Sequence, residues 1–266
     1  MEIIVCIKQV PGTSEVEMDE HGNLIRDPTN TKMNPFDLFA IETALRIRES
    51  NKEKDIPTEI SVISMGPPQA KSVIREAFMM GVDEGYLLSD RKFAGSDVWA
   101  TAYTLAQGIK KIGIPDIIIC GKQTTDGDTA QVGAELAEFL SLPHLTNILK
   151  IDHVAKNSIQ VEADLPSEVQ VADIQFPCLI GVDKDIFTPR LPSYKRKIKT
   201  KDRKIKVFSF EDLQDNNVFH YGMEGSPTKV KKVFLPESKN DKVMWKGEAE
   251  KLGEKLFQKL VQDKFI

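Results

Sequence analysis

Apolar runs alternate with stretches of helical period through roughly the first 180 residues, an ordering of βαβ units that predicts a mostly parallel sheet. Strands are expected at 3–7, 60–64, 84–88, 117–120 and 179–182, and helices at 37–48, 68–80, 97–112 and 130–140. The segment 157–174 alternates more tightly. Ile159 and Val161 precede Pro166-Ser167, and Val169, Val171 and Ile174 follow it, which predicts a hairpin added to the sheet. After Pro189 the character changes: a proline-containing run, Pro189-Arg190-Leu191-Pro192-Ser193-Tyr194, leads into basic residues and then into a stretch with little periodicity up to about Val243. A last helix over 246–264 carries Leu252, Leu256, Leu260 and Val261 on one side, a stripe suited to packing. So long an irregular segment is unusual inside a compact domain and is expected to lie along a partner. The pattern therefore divides the chain into an α/β domain over 1–190 and an extended arm over 191–266.

The 266 residues suffice for a full core. With 36 basic and 40 acidic side chains the formal charge is −4, which argues against the overall electrostatic footprint of a nucleic-acid binder. The run 195–206 is a local basic exception. It reads as a solvated charged strand, a docking segment or an RNA patch, the last disfavoured because no aromatic residues interleave with the charges. No segment approaches the roughly 20 apolar residues of a membrane span. The opening Met-Glu-Ile-Ile-Val-Cys-Ile-Lys reads as a strand, so a cytoplasmic location is expected. Cys6, Cys120 and Cys178 sit in or at the end of apolar runs, without C-x-x-C spacing, and read as buried reduced thiols. Four scattered histidines offer no zinc-ligand spacing, and no metal is expected.

Chemistry concentrates where the strand at 117–120 ends. Gly121-Lys122-Gln123-Thr124-Thr125-Asp126-Gly127-Asp128-Thr129-Ala130-Gln131-Val132 is a polar, glycine-containing loop running into a helix. The exposed N–H groups of a helix's first turn and its positive dipole end attract an anion such as a nucleotide phosphate. Asp128 with Gln131 three residues on fits a capping box. The loop is neither a Walker loop nor a G-x-G-x-x-G fingerprint, and an ordinary α/β turn remains the competing reading. Asp126 and Asp128 would repel a phosphate, so their carboxylates are expected to turn toward ribose hydroxyls or backbone N–H groups. Three further segments should reach the same edge of the sheet: Cys6-Ile7-Lys8, Met33-Asn34-Pro35-Phe36-Asp37 and Ser64-Met65-Gly66-Pro67-Pro68-Gln69.

Five motifs in order carry a resemblance over nearly the whole chain, from Ile3 to about Lys206. They are Met33–Asp37 with Glu42, Met65–Ala70, Ala77–Asp83, Gly121-Lys122-Gln123 with Asp126-Gly127-Asp128, and Pro189-Arg190. Together they resemble the β subunit of electron transfer flavoproteins. The resemblance implies a Rossmann-like parallel sheet of the adenine-nucleotide α-hydrolase type, and an α-subunit partner that carries FAD. The pocket it implies holds AMP or a second FAD and is built from Cys6, Asn34, Pro35, Phe36, Asp37, Met65, Gly66 and the run from Gly121 to Val132.

Two stretches resemble the electron-bifurcating members: 87–101, with Gly95, Ser96, Asp97 and Thr101, and 126–133. That likeness implies FAD in this subunit, with NAD(H) exchanging hydride at its flavin. Electrons would pass on to the α-subunit FAD, a ferredoxin-type acceptor and a flavin-dependent dehydrogenase for an acyl-CoA or a 2-hydroxy acid such as lactate. Physically, Gly95-Ser96-Asp97 caps a helix and offers a second anion site for a dinucleotide's extra phosphate. The competing readings are a non-redox structural subunit holding AMP and a nucleotide-binding stress protein acting alone. No side-chain acid, base or nucleophile is nominated, because a flavin carries its own chemistry. The family's recognition loop corresponds in position to 189–199, which makes Pro192, Tyr194 and Lys195 the expected docking residues. The hairpin departs from the family pattern, since 161–169 lacks the usual arginine.

Overall fold

A computed structural model of the chain describes residues 1–12, 17–18, 24–25, 30–229 and 242–266. Contacts divide it into two compact units, Met1–Lys229 and Val230–Ile266. In the first unit a nine-stranded sheet runs β11-β10-β9-β12-β8-β1-β6-β7-β13. Its strands are β1 (Glu2–Cys6), β6 (Glu59–Met65), β7 (Glu84–Leu88), β8 (Ile117–Gly121), β9 (His144–Val154), β10 (Ser158–Leu165), β11 (Glu168–Gln175), β12 (Cys178–Val182) and β13 (Lys206–Phe208). All neighbours pair in parallel except β9 with β10 and β10 with β11. Two short antiparallel pairs, β2 (Gln9–Pro11) with β5 (Thr31–Met33) and β3 (Glu17–Met18) with β4 (Leu24–Ile25), stand apart from it.

Strands buried on both faces read as continuous apolar runs, and Ile117-Ile118-Ile119-Cys120 is one. Alternate residues serve opposite layers. Ile3 and Val5 pack with α1 (Pro35–Glu53) and α2 (Lys71–Met80), whereas Ile4, Ile118 and Leu179 pack with α3 (Val98–Ile112) and α4 (Val132–Leu140). The chain lays β1, β6 and β7 outward in one direction and then returns to the other side of β1 with β8. The strand order therefore reverses between β1 and β8, where doubly wound sheets open a crevice at their carboxyl ends.

Several elements differ from the pattern-based expectation. The eleven-residue β9 was not anticipated: its outward Lys150 and Asp152, with register shifts against β10, blur the alternation. The hairpin itself forms, as β10 and β11 around Pro166-Ser167. The helix expected from 130 begins at Val132, because Asp128 and Ala130 adopt left-handed backbone (φ 53° and 55°). The stretch after Pro189, expected to lie along a partner, belongs with the α/β domain to one compact unit as far as Lys229. There β13 extends the sheet beside β7 and Tyr221 is buried. Part of that stretch, 230–241, lies outside the described residues. In the second unit the expected C-terminal helix is α6 (Ala249–Gln262), whose Leu256, Phe257 and Val261 are exposed.

One buried ion cluster explains two of the quoted motifs. Glu42, on α1, has a fully buried side chain that receives Arg190 Nε at 2.8 Å, Arg190 Nη2 at 3.0 Å and the Arg190 backbone N–H at 3.1 Å. Arg46 Nε adds a bond at 2.8 Å, and Arg190 also reaches Glu49. Burial alone would raise the Glu42 carboxyl; the two arginines more than offset it and hold it below its ordinary value. Removing one partner of a buried pair strands the other charge. Arg190→Ala should therefore destabilise the domain by about 3 kcal/mol, read as a lower urea midpoint at unchanged slope. A loss under about 1 kcal/mol would mean that Arg46 and solvent suffice for Glu42.

Candidate functional site

The crevice between β1 and β8 is built around one close approach. A Cβ at Gly121 would lie 2.7 Å from the Phe36 carbonyl carbon and 2.8 Å from Asp37 Oδ1, so only glycine lets the start of α1 abut the end of β8. Pro35 opens α1 where its missing N–H costs nothing, and the buried Asn34 precedes it. From there the Asn34 amide reaches three ways. Its Nδ2 donates to Asp37 Oδ1 at 2.8 Å and to the Gln123 carbonyl at 2.9 Å, and its Oδ1 accepts the Thr125 N–H at 3.3 Å. The loop 121–131 thus hangs from α1 by a single side chain. Asp37 also accepts the Lys8 N–H at 2.6 Å, which ties in the end of β1. Burial pushes the Asp37 carboxyl up to about 7 against the opposing hydrogen bonds from Asn34 and Lys8.

Six charged or polar side chains of the loop and its surroundings are committed to one another in three pairs. Lys8 Nζ contacts both carboxylate oxygens of Asp126, at 2.7 and 2.8 Å. Lys122 Nζ binds Asp183 at 2.7 Å, so it does not project freely into solvent. Gln123 Nε2 donates to Asp128, and the Asp128 N–H returns to the Thr124 carbonyl at 2.9 Å. The expected capping box of Asp128 and Gln131 does not form. Asp128 lies four residues before Val132 in left-handed backbone, and Gln131, at the cap position, makes no side-chain capping bond. The first turn of α4 consequently opens without a side-chain cap behind an exposed loop, the arrangement that suits a phosphate. Among the described residues a Cβ at Gly127 would meet only Thr124 Oγ1, at 3.4 Å, an ordinary contact, so none of them demands glycine there. Ala130, with φ 55°, stores strain of the kind that collects at ligand loops.

The second helix start is organised differently. Asp97, not Ser96, caps α3: its carboxylate accepts the Ala100 N–H at 3.1 Å and also the Thr228 N–H and hydroxyl at 2.9 and 2.7 Å. Ser96 Oγ donates to the Phe93 carbonyl, Gly95 takes φ 75°, and the Thr101 N–H bonds the Asp97 carbonyl. The protein's own carboxylate therefore occupies the anion position that the sequence had offered to a phosphate. The charge of Asp97 also acts on α4: the Glu135 carboxyl, in the first turn of that helix, is raised by burial and then by Asp97.

Cys6, Asn34, Pro35, Phe36, Asp37 and the run from Gly121 to Val132 gather at the crevice, with Cys6 in register beside Cys120. Met65 and Gly66 close β6 at the same edge, where the Gly66 N–H bonds Leu88 on the far side from the loop. Gly95, Ser96, Asp97 and Thr101 form the separate group at α3. Pro192, Tyr194 and Lys195 lie outside both, exposed at α5 (Tyr194–Lys199). Lys8 and Asp183 were missed as partners of the loop, although each is a charge directly after an apolar strand. Ser226 and Thr228 were missed too, and their aperiodic surroundings gave no signal. Among the described residues no cluster of three or more His, Cys, Asp or Glu is placed to hold a metal, and no helix is long and apolar enough to cross a membrane.

The perturbed Asp37 generates a pH signature. An unfolded aspartate titrates near 4, so between about pH 4 and 7 the folded protein holds a proton that the unfolded chain releases. Its stabilising effect is full below that window and is lost as pH rises through it. In urea titrations wild-type stability should fall from pH 5 to pH 8 more steeply than that of Asp37→Asn. Parallel slopes would show that Asp37 is ionised throughout.

Comparison with known proteins matches the electron transfer flavoprotein domain over residues 22–213. The chain is 41% identical over 277 aligned positions, covering all of both chains, to the electron transfer flavoprotein subunit beta of Megasphaera elsdenii. It is 40% identical to subunit CarD of the caffeyl-CoA reductase-Etf complex of Acetobacterium woodii, over 93% of this chain and 92% of that one. Identity is 35% across the full length of both chains to the acryloyl-CoA reductase electron transfer subunit gamma of Anaerotignum propionicum. With a doubly wound sheet, a loop hung at its switch point and relatives alike from end to end, this chain belongs to the β subunits of electron transfer flavoproteins.

Proposed function

We propose that this electron-transfer subunit holds FAD in the crevice between β1 and β8, exchanges hydride with NAD(H) there, and works in a heterodimer with a flavoprotein α subunit. The observation that carries the nucleotide reading is the uncapped start of α4 behind the exposed, strained loop 124–131. Bound FAD would supply the redox chemistry. The chain's own residues would hold and orient it: Gly127 admits close approach, Asn34 fixes the loop, and the N–H groups at the start of α4 would bind the phosphate. The dinucleotide reading is supported by the likeness of 87–101 and 126–133 to bifurcating members and by relatives named for reductase complexes. On this reading electrons continue to a ferredoxin-type acceptor and a flavin-dependent dehydrogenase for an acyl-CoA or a 2-hydroxy acid. A second reading, a structural subunit holding AMP, is favoured by the Asp97 carboxylate that already fills the start of α3.

Releasing and counting nucleotides from the purified heterodimer separates the two. Two FAD per heterodimer support the first reading, and one FAD with one AMP supports the second. Gly127→Val should leave stability within about 0.5 kcal/mol, because the protein leaves room for the side chain, yet lower nucleotide retention at this site. Full retention in that variant would make the loop an ordinary turn.

We further propose that α5 presents the docking surface for the dehydrogenase, and that the arm beyond Lys229 packs on partner subunits. Ser193 caps α5, the Ser193 N–H bonds the Met79 carbonyl, and Arg196 reaches the Met80 carbonyl, so the helix is fastened to the end of α2. Tyr194 stands 75% exposed on it, and Leu191, three residues earlier, is 87% exposed. Tyr194→Ala should weaken coupling to the dehydrogenase by about 1 kcal/mol or more while nucleotide content stays unchanged. Loss of nucleotide, or normal coupling, would remove this role.

A further inference from the structure

We propose that Asp126 is an internal competitor for the phosphate site: it holds Lys8 across the loop, and Lys8 transfers from this carboxylate to the nucleotide phosphate when the ligand enters. This inference rests on the adenine-nucleotide reading of the crevice and does not depend on whether the occupant is FAD or AMP.

The anchoring of Lys8 is split. Its backbone N–H is pinned to the buried Asp37 at 2.6 Å, while its side chain crosses to the loop and ends on both oxygens of Asp126. The backbone cannot move far; the ammonium can. The pair is open to solvent, with Lys8 44% and Asp126 31% exposed, so exchanging one anion for another costs little. Lys122 is less available. It is the other lysine bound at this loop, and its partner Asp183 is only 12% exposed and also accepts the Lys184 N–H.

The charge balance points the same way. Asp126 flanks Gly127, the residue with room for close approach, and Asp128 lies just beyond, held by the Gln123 amide. A phosphate entering here meets two carboxylates of its own sign unless a cation comes between them. Lys8 is already within reach of that place. Burial alone would raise Asp126, and the hydrogen bond and charge of Lys8 outweigh it, so the carboxylate stays ionised and competes at neutral pH. Neutralising Asp126 should then tighten phosphate binding. A carboxylate that serves ribose hydroxyls would give the opposite result.

The test uses the heterodimer freed of the nucleotide in this subunit, titrated calorimetrically with AMP, the adenylate part common to both readings, and with adenosine, which lacks the phosphate. Asp126→Asn should bind AMP about threefold to tenfold more tightly than wild type, and Lys8→Gln about tenfold more weakly with a flatter salt dependence. Neither variant should change adenosine affinity. Weaker AMP binding by Asp126→Asn, equal shifts for AMP and adenosine, or an unaltered Lys8→Gln would overturn the competition while leaving the nucleotide site standing. Wild-type protein that binds neither compound would overturn the reading of the crevice and the competition with it.

Discussion

The contact between the start of α1 and the end of β8, with only a hydrogen atom on Gly121 between them, is the constraint from which the rest of the crevice follows. It brings Asn34 under the loop, and the Asn34 amide then satisfies an N–H and a carbonyl that a surface loop would otherwise give to water. Asp37 orients that amide and ties in β1 through Lys8. Three chain segments far apart in sequence are joined by two side chains. Among the described residues no ammonium or guanidinium pairs with the buried Asp37, since the Lys8 ammonium is turned to Asp126, and burial raises its carboxyl.

The two helix starts show how differently one kind of sequence signal can resolve. Gly95-Ser96-Asp97 and Asp126-Gly127-Asp128 both read as acidic, glycine-containing entries to helices. At α3 the aspartate sits at the cap position and closes the helix end with help from Thr228. At α4 left-handed backbone at Asp128 and Ala130 carries the aspartate away from the cap, and the first turn opens without a side-chain partner. A shift of a few residues between carboxylate and helix separates a self-satisfied end from one that suits an external anion.

Long apolar runs made the central sheet legible: 3–7, 60–64, 84–88, 117–120 and 179–182 lie within β1, β6, β7, β8 and β12 or one residue beyond them. The loop and the start of α1 were legible as well, because polar residues directly after buried strands have few other reasons to be there. What escaped was whatever depends on contacts distant in sequence. β9 is half-exposed and its alternation is broken by charges; β13 is three residues long and exists only because β7 offers an edge. The partners of the candidate residues escaped for the same reason. Arg190 finds Glu42 across 148 positions, and Thr228 finds Asp97 across 131.

The pairing of β13 with β7 also bears on how the chain comes to be folded. β7 ends at Leu88, but the strand that covers its outer edge is supplied by Lys206–Phe208. Until those residues have left the ribosome, a growing chain carries an open parallel edge at β7, a template for wrong strand partners. Closing it requires a loop of more than a hundred residues, and such non-local pairings form late. The same return of the chain puts α5 against the end of α2 and Thr228 against Asp97. The sealing of the β7 edge, the fastening of α5 to α2 and the clamp on α3 thus all wait on one C-terminal segment, so the last part of the domain to be synthesised closes contacts made by its first half.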